Sequence, residues 1–353
     1  MSPALHRDRP LKRLGFLHLV PFTAQDPGAG LRDALDLFTY AEELGFDSGW
    51  IRTRHLQYGV GAPGAYLGAL SQVTSTLELG NAVIPLEFEN PFRLAEDLGT
   101  VDLLSGGRLR PGFSAHPPRF DAAVNARVFG AGWEREDYGN ERLERLLALL
   151  RGQAVREVGE YQGFGGDFDA PTVQPLSPGL AQRAAYGAGS LRSAEWAGAA
   201  GLSLLVSNIS TMENGVRSVN AAQAAQMRAF RAAHPAGEAA HVSQARVVVP
   251  LDGTTPEQEA RYRAYVQRRT PRTRGVVGAK TIIAPDVMGS LEEIVHSFAE
   301  DESFALADEV IFELPFELEP EDWRHQLRQV ATRIGPALGW QPRAQHNGGN
   351  SAR

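Results

Sequence analysis

The chain has 353 residues and no cysteine, so disulfides, cysteine nucleophiles and thiolate metal sites are excluded. Its formal net charge of −7, from 35 basic and 42 acidic side chains, argues against a general nucleic-acid or anionic-membrane role. The composition, with 43% hydrophobic and 22% charged residues, is ordinary for a globular enzyme, and no run of 18 apolar residues predicts a membrane span. We therefore expect a cytoplasmic protein.

The N-terminal segment faintly imitates a signal peptide, because basic residues precede the apolar run Leu14–Phe22. That run is only nine residues long, contains His18 and has no small-x-small cleavage pattern. We predict a flexible tail over residues 1–12, a single domain over 13–340 and a second flexible tail over 341–353.

Short apolar strands and amphipathic helices alternate along the chain. The clearest unit spans residues 80–113, where one strand ends at Pro85, a helix begins at Pro91 and a second strand begins at Arg108. Such a βαβ unit pairs its strands in parallel. The predicted strands are Gly15–Val20, Ser48–Ile51, Leu77–Ile84, Arg108–Phe113, Arg183–Tyr186, Leu202–Val206, Val242–Val249, Thr281–Ala284 and Glu309–Leu314. The predicted helices cover residues 31–41, 66–73, 91–104, 143–150, 190–199, 212–233, 256–268, 291–298 and 322–338.

About eight strand and helix pairs in strict alternation predict an α/β fold, a (β/α)8 TIM barrel. A Gly/Pro-rich excursion over residues 152–181 separates the fourth helix from the fifth strand. A doubly wound open sheet is the alternative. Its dinucleotide motif is poorly met, because the formal G-x-G-x-x-G match at Gly59–Gly64 begins eight residues after the strand that ends at Ile51.

Candidate site residues follow the barrel strands, since barrel enzymes build their sites at the carboxyl ends of the strands. This rule selects Arg54, His55, the segment Pro85–Glu89 with Glu87 and Glu89, Ser114, His116 and the segment Gly187–Ser193. No metal-binding histidine spacing and no G-x-S-x-G elbow occurs, so neither a metal site nor a serine nucleophile is predicted.

Two of these candidate sites each allow a functional and a purely structural interpretation. Ser190 and Ser193 begin a helix after a glycine-containing turn, which suits phosphate binding, although Ser190 would equally serve as a helix N-cap. Arg54 and His55 offer a permanent charge and a group that titrates near neutrality, or else form a solvated rim. The arginine-rich run over residues 268–274 lacks interleaved aromatics, so we predict a mobile loop over the site there.

Three segments resemble the bacterial luciferase-like flavin monooxygenase family: Ala41–Trp50, Asn90–Leu109 with its Leu-Ser-Gly-Gly-Arg-Leu run, and Ser193–Ala197. The resemblance extends from about Arg13 to Trp340. It implies an eight-stranded barrel, usually a homodimer, that uses reduced FMN and oxygen or, in a sister branch, a deazaflavin.

The resemblance also implies roles for individual residues. Ser190 and Ser193 match hydroxyl positions around the flavin phosphate, Ser114 matches a position beside the ring, and His55 matches the second of two paired histidines. Arg54 stands where the family has the first histidine. Candidate catalytic residues are therefore His55 and Arg54, and candidate cofactor-binding residues are Ser190, Ser193, Gly189, Ser114, Arg142 and Asn81.

Three functions follow as expectations. The first is a monooxygenase that takes reduced FMN from a separate reductase by diffusion and oxygenates a small organic substrate. The second is a deazaflavin-dependent oxidoreductase that transfers hydride without oxygen. The third, motivated by the replacement of the first histidine by Arg54, is a catalytically weak flavin-binding protein.

Overall fold

Eight parallel strands close into a barrel in the computed structural model, which describes residues 11–157, 170–273 and 275–342. Closure is made by two pairings, of the last barrel strand with the first and of the sixth with the seventh. The barrel strands are β1 Arg13–His18, β2 Ser48–Ile51, β3 Glu78–Pro85, β4 Leu109–Ser114, β5 Ala185–Ala188, β6 Ser203–Val206, β8 Val242–Pro250 and β12 Glu309–Glu313. Shorter strands in the same ranges are β7 Ile209–Thr211, β9 Val276–Val277, β10 Thr281–Ile283 and β11 Val287–Gly289. The predicted TIM barrel is confirmed.

Helices surround the barrel, and proline is used to begin several of them, since its fixed φ suits the first helical turn. Asn90 additionally caps α3, where its side chain accepts from the Phe92 and Arg93 amides. The helices are α1 Pro27–Glu43, α2 Pro63–Val73, α3 Pro91–Ser105, α4 Ala122–Phe129, α5 Asn140–Leu150, α6 Leu191–Ala199, α7 Val219–Ala233, α8 Pro256–Thr273, α9 Leu291–Ala299, α10 Pro320–Gln329 and α11 Gly335–Ala337.

The core has two layers. An outer layer joins the strands to the helices, and a smaller inner cluster fills the barrel. The inner cluster consists of Leu17, Leu19, Trp50, Ala185, Leu205, Ala245 and Ile311. Trp50 fits because its neighbour on β3 is Gly80, where an added Cβ would overlap the indole ring. Burial of the apolar side chains in both layers supplies most of the driving force for folding.

A polar network closes the barrel at the amino-terminal ends of its strands. The Glu309 carboxylate on β12 is fully buried and accepts from Arg110 Nη1 at 3.0 Å on β4 and from Ser243 Oγ at 2.5 Å on β8. It also accepts from the Ser48 hydroxyl on β2 and lies 3.9 Å from Arg13 on β1. One carboxylate thereby contacts side chains from four other strands.

The predicted strand Thr281–Ala284 is not one of the eight barrel strands. It forms β10, which pairs antiparallel with β7 on one side and β9 on the other. Three residues are too few for hydrophobic periodicity to distinguish a strand in a local hairpin from one in a parallel wall.

Two predicted helices have different bounds in the structure. The Ala-rich helix begins at Val219 rather than Met212, because Asn214 and Gly215 adopt positive φ in a turn. Helix α8 continues to Thr273, so the described arginines of the 268–274 run lie on a helix rather than on a loop. Residues 158–169 of the excursion, and most of both predicted tails, lie outside the described residues.

Replacing Glu309 with alanine tests the network. Arg110 would lose a buried counter-ion, and breaking such a pair typically costs about 3–5 kcal/mol of unfolding free energy. Urea unfolding at pH 7 measures this loss. Glu302→Ala is the matched control, since its pair with Arg228 at 3.7 Å is exposed and should change stability by less than about 1 kcal/mol. Equal effects of the two substitutions would contradict the assignment.

The same carboxylate predicts a pH dependence. Burial alone would raise the pKa of Glu309, but Arg110, His241 and Arg13 hold it well below the ordinary value. The stabilisation is therefore present above the ordinary carboxyl range and is lost as pH falls through the lower folded-state pKa. Comparing wild type with Glu309→Gln by urea unfolding should show the stability difference shrinking below about pH 4.

Candidate functional site

A cavity of about 620 Å³ opens at the carboxyl ends of the barrel strands. Its floor is apolar and comes from the inner cluster, with Leu17, Leu205, Ala245 and Ile311. Its walls are polar and come from the segments that follow the strands. Clefts of this size commonly hold a cofactor or a small ligand, so the cavity is the candidate site.

Arg54 gives the cavity wall a positive charge. The neighbouring Arg52 is neutralised, because its guanidinium donates to both carboxylate oxygens of Glu313 at 2.8 and 3.2 Å. Arg54 makes no such pair with any residue that the structure describes, and its buried Nε has no hydrogen-bond partner. Burial lowers the pKa of Arg54, nearby Arg52 lowers it further, and Glu313 opposes the shift. The wall therefore presents a cation suited to an anion.

Three more predicted residues, Ser114, His116 and Gly189, also line the cavity. Asn81 lies one layer below: it is fully buried, and its side-chain amide donates to the Thr53 hydroxyl at 3.0 Å. Thr53 itself lines the cavity. Asn81 is thus placed to orient a wall residue.

His55 is turned away from the cavity. Its imidazole stacks on the Phe88 ring with centroids 3.7 Å apart and planes at 16°. Burial lowers the pKa of His55, and its Nε2 is buried without a partner. Burial therefore favours the neutral imidazole, which braces the segment after β3 through its contact with Phe88.

Ser190 and Ser193 form a reciprocal capping box at the start of α6. The Ser190 amide donates to Ser193 Oγ at 3.1 Å, and the Ser193 amide donates to Ser190 Oγ at 3.2 Å. Both hydroxyls are thus engaged within the protein, in agreement with the N-cap interpretation. The helix terminus still lies beside the cavity, because Gly189 is in its wall.

Arg142 lies away from the cavity wall and braces a loop. Its guanidinium donates to the carbonyl oxygens of Leu86, Glu89 and Asp137 at 2.7–3.2 Å. Those bonds hold the segment after β3 against α5. The structure therefore brings Arg54, Ser114 and Gly189 together and leaves Arg142 at a distance from them.

The acidic residues of that loop have unusual environments. Glu87 is buried beside His116, with the closest atoms 3.4 Å apart, and burial raises its pKa. Burial and then Asp97 raise the pKa of Glu89 to about 7, against the opposing charge of Arg142. Both carboxyls are consequently weaker acids than a solvated glutamate.

Several wall residues were missed from the sequence. Glu313, the partner of the wall residue Arg52, was also missed; it ends the last barrel strand and would have been found by examining every strand end rather than the second to fifth. Asn208 and Ser210 follow β6, and the Ser210 hydroxyl is buried without a hydrogen-bond partner. No local pattern marks Ser210, since the small strand β7 that carries it is fixed by its long-range pairing with β10.

Among the described residues, no cluster of three or more histidine, aspartate or glutamate side chains is arranged to hold a metal ion. In the same ranges, no helix combines the length and apolar character that a membrane span requires.

Comparison with known proteins identifies the family. Residues 13–338 match the family described as luciferase-like monooxygenase. The chain belongs to the luciferase-like monooxygenase family. The predicted resemblance is confirmed.

Individual relatives of this family are distant. An F420-dependent glucose-6-phosphate dehydrogenase of Amycolatopsis mediterranei is 28% identical over 40% of this chain and 44% of its own length. Limonene 1,2-monooxygenase of Rhodococcus erythropolis is 28% identical over 49% of this chain and 48% of its own length. The chain thus spans less than half the length of these curated relatives. A solved structure shares the fold: the oxygenating constituent of 3,6-diketocamphane monooxygenase from Pseudomonas putida, in complex with FMN. It superposes with a TM-score of 0.62 at 14% identity, and the match covers 92% of this chain and 98% of that one.

The cavity of this luciferase-like chain fits a flavin ring by its own chemistry. Arg54 Nε and Ser210 Oγ are buried polar atoms without partners in its wall, and a flavin ring carries oxygen and nitrogen atoms that accept hydrogen bonds. Gly189 leaves room, because an added Cβ would meet nothing nearer than the Ile209 carbonyl oxygen at 4.0 Å. The donor set therefore suits an electron-rich ring.

Glu89 supplies a pH test of the loop at this site. Since its folded-state pKa is raised, its stabilising contribution is present at low pH and is lost as pH rises from about 4.5 through about 7. We expect Glu89→Gln to gain stability relative to wild type between pH 5 and pH 8, measured by urea unfolding. Glu134→Gln is the control, because it removes the charge of an exposed carboxylate. Parallel pH profiles for wild type and Glu89→Gln would contradict the prediction.

Proposed function

We propose that the chain is a flavin-dependent monooxygenase that uses reduced FMN and oxygen to oxygenate a small organic substrate. The observation that carries the proposal is the Arg54 guanidinium, which lines the barrel cavity without a counter-ion among the described residues. Membership of the luciferase-like family and the FMN in the diketocamphane structure support the choice of cofactor. Reduced flavin, when bound, would supply the electrons that activate oxygen.

Each wall residue has a defined task in this proposal. Arg54 holds the negative charge of the reduced ring, and Ser114 offers a hydroxyl beside it. The apolar floor from Leu17, Leu205 and Ile311 excludes water from the reacting atoms. His55 does not line the cavity, so its task in this proposal is to brace the segment after β3 through its stacking on Phe88.

Deazaflavin-dependent hydride transfer is the second candidate, favoured by the likeness to the F420-dependent dehydrogenase. Oxygen uptake distinguishes the two. Reduced FMN supplied to the protein should give oxygen consumption coupled to substrate oxygenation, whereas a deazaflavin enzyme should oxidise substrate only with F420 and without oxygen. A protein that binds FMN but leaves the oxidation of the free flavin unchanged would contradict the monooxygenase proposal and favour the weak flavin-binding alternative.

Removing the charge of Arg54 tests its role directly. We expect Arg54→Met to weaken binding of reduced FMN by at least about tenfold, since a charge-assisted hydrogen bond contributes ~1.5–3 kcal/mol. Oxidised FMN, whose ring is neutral, should be affected less. Anaerobic ultrafiltration measures both affinities. Arg127→Met removes the same charge from the exposed face of α4 and should change neither. Equal loss for oxidised and reduced FMN would contradict the role assigned to Arg54.

The proposed enzyme is a homodimer that receives its reduced flavin from a separate reductase by diffusion. Leucines 103 and 104 on α3 are 50% and 60% exposed, and Phe92 on the same helix is 43% exposed. Contiguous exposed apolar patches mark association surfaces, and the neighbouring Leu103 and Leu104 are our candidate for one. We expect light scattering to give twice the 38.3 kDa chain mass for wild type and the chain mass for Leu104→Asp. A monomeric wild type would contradict the proposal.

A further inference from the structure

Glu213 occupies the amino terminus of α6. The Leu191 amide, in the first turn of this helix, donates to Glu213 Oε2 at 2.7 Å. The adjacent Ser190 and Ser193 amides are taken by the capping box. A helix terminus with free N–H groups attracts anions, and here a carboxylate of the chain itself fills that role.

This helix terminus borders the cavity. Gly189, directly before Ser190, and Ser210 and Thr211, directly before Met212 and Glu213, all line the cavity. The Thr211 amide donates to the Gly189 carbonyl oxygen at 2.7 Å, which fixes the Glu213 segment beside α6. Glu213 is thus held next to residues that line the same cavity as Arg54.

A second observation shows that this end is prepared for a ligand. Ser210 is only 1% exposed, lines the cavity and has a hydroxyl without any hydrogen-bond partner. A buried hydroxyl without a partner is unfavourable by roughly 1–3 kcal/mol, so a bound acceptor there would be stabilised. Gly189 leaves open room next to it. The end of the cavity therefore combines an unused donor, free space and a helix terminus already neutralised by Glu213.

We propose that Glu213 competes with the phosphate of a bound flavin for the amino terminus of α6, and so weakens phosphate recognition without affecting the ring. A carboxylate and a phosphate within a few ångströms repel each other, and only one of them can accept from the Leu191 amide. This inference rests on the proposed function. Weaker phosphate recognition would let the flavin exchange readily with solution. A monooxygenase that receives reduced flavin by diffusion from a separate reductase requires such exchange.

Glu213→Gln tests the inference, because glutamine keeps an oxygen to accept from Leu191 while removing the charge. The measurement is quenching of flavin fluorescence by wild type and variant, with FMN and with riboflavin, which lacks the phosphate. We expect FMN to bind at least tenfold more tightly to the variant, about 1.4 kcal/mol, and riboflavin affinity to stay within about twofold. Glu213→Ala should shift FMN affinity in the same direction.

Glu195→Gln is the matched control, since it removes an exposed carboxylate from the same helix and should leave both affinities unchanged. If both flavins bind but the FMN-to-riboflavin ratio is the same in wild type and Glu213→Gln, the inference is wrong and the proposed function stands. An equal gain in Glu195→Gln would also overturn it, because the effect would be one of net charge. Failure of both flavins to bind wild type and every variant would overturn the proposed function together with the inference.

Discussion

The buried carboxylate of Glu309 is the interaction on which the barrel depends. A closed sheet of short strands needs its first and last members held together, and Glu309 on β12 contacts the side chains of Ser48, Arg110 and Ser243 on three other barrel strands. The network fills the amino-terminal end of the barrel with paired polar groups. The carboxyl end is left free for a site. Ser243 belongs to both regions, because it donates to Glu309 and also lines the cavity.

Charge distribution at the carboxyl end follows from a similar pairing. Glu313, four residues beyond Glu309 on the same strand, accepts from both terminal guanidinium nitrogens of Arg52. Arg54 is therefore left as a cation facing the cavity. At the amino terminus of α6, beside the same cavity, the order is reversed, because the Glu213 carboxylate already accepts from the Leu191 amide. Under the proposed function, the site would recognise a flavin ring strongly and an attached phosphate weakly.

Sequence reasoning recovered the barrel and the start of α6 because both depend on local signals, such as Pro85 at a strand end and Ser190 at a helix start. It placed Arg54, Ser114 and Gly189 at the cavity by the strand-end rule alone. It could not place His55 or Arg142, since side-chain direction depends on tertiary neighbours such as Phe88. Glu213 carries no local signal either, because it reaches α6 from 22 residues away along the chain.

The central claim is that a flavin binds in the cavity at the carboxyl end of the barrel with its ring against Arg54. A crystal structure of the protein soaked with FMN tests this claim most directly. The account predicts ring density within hydrogen-bond distance of the Arg54 guanidinium, above the floor formed by Leu205 and Ile311. Flavin density elsewhere on the protein, or a ring in the cavity with Arg54 turned away into solvent, would contradict it.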